Sequence, residues 1–111
     1  VIGCTALTTE EWGPLTGQSF TDLVQEPYAF AAHVGKPLIV AEAGISAKDP
    51  AVRMQWIEQT RAAMTQLPLL LGVVYFDAQN PLPFTPAGTQ VANWTLSATE
   101  RAAFFAPLTK V

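Results

Sequence analysis

The chain has 111 residues, 50% of them apolar and 14% charged, which supplies enough apolar material for a folded domain and excludes a disordered one. Its net charge is −3, and its 6 basic residues (Lys36, Lys48, Arg53, Arg61, Arg101 and Lys110) are scattered, which argues against a nucleic-acid-binding surface. No apolar run approaches the roughly 20 residues a membrane helix needs, no basic n-region marks a signal peptide, and the lone cysteine excludes an internal disulfide or a cysteine-built zinc site.

Val1-Ile2-Gly3-Cys4 reads as the end of a strand whose beginning is missing. Position 1 is not Met, so the start is expected to have been trimmed or cut. Cys4 fits a small buried apolar residue. A long loop follows, broken by Gly13, Pro14 and Gly17, and it carries Glu10 and Glu11 as solvated charges. Ser19 or Thr21 is suited to cap a short helix through Pro27 to Val34, with Pro27 fitting a first turn, His33 as a cation near its end and Gly35 as its stop. Residues 37–43 form the clearest strand. The run Leu38-Ile39-Val40-Ala41 suits a parallel strand covered on both faces, and Gly44 ends it.

Asp49 and Pro50 are a good cap and first-turn residue for the strongest helix. Along it Val52, Trp56, Ile57, Met64 and Leu67 recur at helical spacing, which makes Trp56 a core residue, and Pro68 stops it. A second buried strand covers 69–76, with Tyr75 toward the helices and Phe76 on the opposite face. Residues 77–93 are rich in Pro, Gly and Asn and predict a long loop of the kind that often carries function. Gln79 and Asn80 in it are able to bond hydroxyl groups. Ser97 and Glu100 make a capping box for a last helix to about Phe105, ended by Pro107.

Strand and helix alternate throughout, which predicts one α/β domain over residues 1–111 with a parallel sheet whose strands all end on one edge. No Gly-rich nucleotide loop is present, and His33 has no second histidine to form a metal pair, so neither a cofactor nor a metal site is expected. The informative residue is Glu42. Alternation puts Leu38, Val40 and Glu42 on one face, with the carboxylate at the last position. A buried unpaired carboxylate is costly, whereas the C-terminal mouth of a parallel sheet tolerates one because sites are assembled there. Three readings stay open at this point: a site residue, one half of an ion pair with a neighbouring Arg or Lys, or an exposed strand end.

The string Lys36-Pro37-Leu38-Ile39-Val40-Ala41-Glu42-Ala43-Gly44 resembles the seventh strand of the clan A glycoside hydrolases. Val1-Ile2-Gly3 with the later Trp12 resembles the end and loop of the sixth strand, and Arg53 to Ile57 resembles the helix after the nucleophile strand. Gly72 to Asp77 followed by Trp94 resembles the eighth strand and its loop, most closely in glycoside hydrolase family 26, the β-mannanase-like family. The resemblance implies the C-terminal portion, about strands 6–8, of a (β/α)8 TIM barrel, with Glu42 as the nucleophile of a retaining β-glycan hydrolase acting on a substrate such as mannan or glucan. It also implies that the acid/base Glu of the fourth strand is absent, since a whole barrel needs about 250 residues and retaining hydrolysis needs two carboxyl groups roughly 5–5.5 Å apart.

Phe76, Trp94 and Trp12 are the candidate sugar platforms, each with ordinary packing as its alternative, and Asp77 is placed to line the cleft. The partners implied are a poly- or oligosaccharide substrate and either the missing N-terminal barrel portion or another copy. A secreted or periplasmic location goes with the family. The alternative function is a non-catalytic carbohydrate-binding or scaffold segment derived from such a barrel, and a third reading is a small parallel α/β domain of unrelated function. By itself the chain is expected to hydrolyse glycosides poorly and to expose unpaired sheet edges and an apolar face.

Overall fold

A computed structural model of the chain describes residues 1–10, 18–79, 87–88 and 91–108. They form β1 (Ile2–Thr9), α1 (Phe20–Val34), β2 (Leu38–Ser46), α2 (Pro50–Gln66), β3 (Leu70–Tyr75) and α3 (Ala98–Phe105) in that order. The strands make one 3-stranded parallel sheet of order β1-β2-β3. Helices α1 and α2 pack against each other as well as against the sheet, so they lie on the same side of it. Among the described residues no helix packs on the other side, where Val74 is 54% exposed.

This arrangement corrects the expected barrel portion. The described residues form a small α/β unit with an open sheet, and nothing in it establishes part of a (β/α)8 barrel. Strand-helix alternation is common to every parallel α/β arrangement, so it could not single one out. The apolar run of β2 also misled. Leu38 and Val40 are buried under the helices, while Ile39 is only half-buried and Ala41 is exposed. The run therefore belongs to a strand covered on one face.

Several boundaries differ from the sequence-based expectation. β1 runs to Thr9 because it stays paired with β2 up to the Thr9–Ser46 pair. β2 likewise continues past Gly44 to Ser46. α1 begins well before Pro27. The Ser19 hydroxyl accepts the Asp22 N–H at 3.1 Å, and the Asp22 carboxylate accepts the Ser19 N–H at 3.3 Å. This reciprocal cap starts the helix at Phe20, whose ring is fully buried, and Pro27 lies in the interior. The helix still ends at Gly35, whose φ of 68° is the left-handed conformation that a residue without Cβ adopts readily.

The Asp49 cap of α2 and the Ser97/Glu100 capping box of α3 form as the sequence implies. The core joins Phe20, Val24 and Ala31 of α1 to Trp56 and Ile57 of α2 and to Phe104 of α3, over Leu38, Val40, Ala43 and Ile45 of β2. Phe20 meets Trp56 edge-on at 5.9 Å between centroids, and Tyr75 meets Phe104 at 5.3 Å. The Arg61 guanidinium of α2 donates to the carbonyls of Phe104, Ala106 and Pro107, which ties the end of α3 to α2.

Candidate functional site on the uncovered sheet face

The site is built on an irregularity in β2. Cys4 pairs with Val40, but the next residue of β1, Thr5, pairs with Glu42. On the other side Val40 pairs with Val73 and Ala43 with Tyr75, so Ala41 and Glu42 together span the single residue Val74. Both neighbours therefore see one extra residue in β2 at the same place, which is a β-bulge. The bulge overturns the simple alternation that put Leu38, Val40 and Glu42 on one face. Leu38 and Val40 are buried beneath the helices, the pattern shifts, and Ala43 and Ile45 resume the buried face. Glu42 is exposed on the face away from the helices, beside Thr5, and it lies mid-strand rather than at the expected C-terminal mouth, because β2 stays paired with β1 as far as Ser46.

Among the described residues no ion pair or hydrogen bond occupies the Glu42 carboxylate. The ion-pair reading of this residue therefore has no partner there. The neighbouring strand positions that share its face are Gly3, Thr5 and Leu7 of β1 and Gly72 and Val74 of β3, followed by Phe76. None is ionisable, so Glu42 is the only carboxylate among them.

Phe76 follows β3, is half-buried, and its N–H donates to the Ala43 carbonyl at 2.7 Å. Its ring stacks on Trp94 with 6.5 Å between centroids and 26° between planes. Trp94 itself is fully buried. It leans on the backbone of Gly44, where a Cβ would stand 3.3 Å from both Trp94 Cε3 and Leu7 Cδ2. Trp94 therefore packs behind Phe76 and offers no open ring face to a ligand. Its carbonyl accepts the Tyr75 hydroxyl at 2.7 Å. Burial pushes Tyr75 up to about 12, so it stays a neutral hydrogen-bonding group.

Asp77 is exposed but occupied. One oxygen accepts the Leu96 N–H at 2.8 Å and the other accepts from Arg101 at 2.8 Å. The Leu96 bond, with help from Arg101, holds its carboxyl below the usual range against the opposing effect of burial. Its visible role is to fasten the segment that enters α3. Gln79 forms an antiparallel bridge with Asn93. Glu10 caps the turn after β2 by accepting the Lys48 N–H at 2.6 Å. Trp12, with Glu11, Gly13, Pro14, Gly17 and Asn80, lies outside the described residues.

Sequence reasoning did not find a groove of about 430 Å³ at the C-terminal ends of the strands, walled by Ser46, Lys48, Asn93, Thr95 and the Arg53–Glu100 pair. It depends on two connections meeting, which no local pattern encodes. Its charged pair is internally satisfied: Arg53 donates to Glu100 at 2.7 Å, and Glu100 also accepts the Ser97 N–H at 2.9 Å. Among the described residues no three His, Cys, Asp or Glu side chains come together to hold a metal ion, and no helix is long and apolar enough to cross a membrane. No protein-family model matches the chain, and no curated protein matches it.

Proposed function

We propose that this chain supplies the nucleophilic carboxylate of a retaining glycoside hydrolase acting on a β-linked polysaccharide, with Glu42 as the nucleophile and Phe76 as the aromatic surface beside it. The observation that carries the reading is an exposed carboxylate without a partner among the described residues, on the face of a parallel sheet away from its helices, in a sequence context that resembles the nucleophile strand of that enzyme clan. In the first step a Glu42 oxygen bonds to the anomeric carbon as the bond to the leaving oxygen breaks. That oxygen needs a proton, and the strand positions around Glu42 carry no acid to give it. The general acid therefore comes from residues other than these. A polymeric substrate fits a secreted or periplasmic enzyme.

The absence of a second carboxylate among those face positions also favours a second reading, a segment that binds carbohydrate without cleaving it. The two separate with a substrate whose leaving group needs no proton. A 2,4-dinitrophenyl 2-deoxy-2-fluoro-β-mannoside or -glucoside should transfer its sugar to Glu42, releasing dinitrophenolate and adding the sugar mass to the peptide that contains Glu42. Glu42→Gln should remain unlabelled while still binding β-mannan or β-glucan oligosaccharides. Saturable sugar binding by the wild-type protein without any label would support the binding segment and reject the nucleophile.

A further inference from the structure

Besides Glu42 itself, the fold carries a groove beside Arg53 and Glu100, a buried Thr8 hydroxyl near the start of α2, and the bulge beneath Glu42. The groove's charged pair is already satisfied. Thr8 borders a cavity of about 130 Å³ that also has the Glu10 carboxylate on its wall, so an anion at the helix start meets a like charge. The bulge carries an inference.

We infer that Ala41 is a positioning residue: as the extra residue of β2 it sets the angle at which the Glu42 carboxylate leaves the sheet. This rests on the proposed role of Glu42 and extends it to a residue that touches no substrate. The ladders supply the reasoning. Omitting Ala41 makes Thr5 and Glu42 follow directly on Cys4 and Val40, and it pairs Glu42 with Val74 before Ala43 meets Tyr75. The omission thus closes the β1–β2 ladder and removes the Val40/Ala43 shift from the β2–β3 ladder, whose separate shift at Leu38/Ile39 comes from an extra residue in β3 and stays. Leu38, Val40, Ala43 and Ile45 then remain on the covered face, and Glu42 remains on the open one. The core does not require Ala41, whose own side chain is exposed. Facing the open side does not require it either. What the extra residue adds is a bend and a stronger local twist, which re-aim the side chain that follows.

Aim matters for a nucleophile, because a reacting oxygen must approach the anomeric carbon within about 3–3.5 Å along the axis of the breaking bond, and a misplacement of about 1 Å can cost on the order of 10²-fold. The bulge lies one residue before the carboxylate and is seen by both neighbouring strands, so no side-chain rotation elsewhere reproduces it.

The experiment is the rate of covalent labelling of the native protein by the fluorosugar, resolved into the inactivation rate and the inhibitor concentration at half-saturation. Deletion of Ala41 should slow the inactivation rate about 10²-fold and leave the half-saturation concentration and the circular dichroism spectrum unchanged. Ala41→Gly and Ala41→Ser keep the extra residue and should label at the wild-type rate. Should the deletion variant fail to fold, Ala41→Val takes its place, since a β-branched residue resists irregular backbone, and it should label several-fold more slowly. A folded deletion variant that labels at the wild-type rate overturns the inference alone, as does an unaffected Ala41→Val if the deletion is unfolded. An unlabelled wild type overturns the nucleophile and the inference together.

Discussion

Replacing Arg53 with Ala should destabilise the fold far more than a surface ion pair would suggest. The Arg53 Nε donates to a Glu100 oxygen at 2.7 Å, and the two side chains are 22% and 4% exposed. Another Arg53 nitrogen donates to the carbonyls of Ala47 and Lys48, so the guanidinium links the β2–α2 turn to the start of α3. Removing it leaves the buried Glu100 carboxylate with the Ser97 N–H and no cation. Breaking a buried pair by deleting one partner costs about 3–5 kcal/mol, a large share of the roughly 5–15 kcal/mol that holds a domain together. Glu100→Gln should cost less, because the remaining Arg53 is partly solvated.

The acid dependence gives a second readout of the same pair. Burial by itself raises the Glu100 carboxyl, but the Ser97 N–H and Arg53 outweigh it and hold the group below its ordinary 4.5. A depressed pKa contributes stability above the unfolded value that is lost as pH falls through the folded value. Urea midpoints at pH 7 and about pH 3 should therefore show a wide gap between wild type and Arg53→Ala that narrows in acid. A gap under about 1 kcal/mol at neutral pH, the level of an exposed pair, would refute the reasoning. A gap that is the same at both pH values would refute it too.

Three further substitutions test the packing around the candidate site. Gly44→Ala places a methyl 3.3 Å from Trp94 and Leu7 and should cost about 1–3 kcal/mol in a denaturant titration, with a shift in tryptophan emission as Trp94 is displaced. Tyr75→Phe removes the donor to the Trp94 carbonyl and the acceptor of the Ile45 N–H, and a loss of about 1–3 kcal/mol is expected in the same titration. Thr8→Val should hold or raise the melting temperature, because the buried Thr8 hydroxyl has no hydrogen-bond partner among the described residues, and exchanging it for a methyl removes a desolvation cost of about 1–3 kcal/mol. A clear fall in melting temperature would mean that a bound water or another group satisfies that hydroxyl.

Where the sequence was readable, local chemistry was decisive. Asp49-Pro50 and the Ser97/Glu100 box mark the starts of α2 and α3 because caps act over three or four residues. Ser19, one of the two expected caps, does start α1, whereas Pro27, which suggests a first turn, lies in the interior because the Ser19–Asp22 reciprocal bonds have already begun the helix. What failed was non-local. The full length of β1 is fixed by its pairing with β2, not by its own composition. The bulge is likewise a relation among three strands. Nothing in Val40-Ala41-Glu42-Ala43 shows that one residue too many will be fitted against Thr5 on one side and Val74 on the other. The fold class failed for a related reason: motif strings and alternation describe neighbours along the chain, while the extent of a sheet depends on what lies across it.

Glu42 and Glu100 show how environment separates one residue type into two roles. Glu100 is buried, and each of its oxygens has a donor: Arg53 holds one and Ser97 the other. Those bonds stabilise its charge, and they also consume the lone pairs that an attacking carboxylate would need. Glu42 is the reverse case. It gains no bond or ion pair from the described residues, so the fold gains little by keeping a carboxylate there. Glu42→Gln should accordingly leave the unfolding free energy from urea titration within about 0.5 kcal/mol of wild type, the usual range for an exposed position. Glu100→Gln should lower it measurably. Loss of sugar transfer in the first variant without loss of stability would assign Glu42 to chemistry, because the same change at Glu100 acts on the fold. A comparable loss of stability in both would mean that Glu42 has a structural partner after all, and would return its charge to the fold.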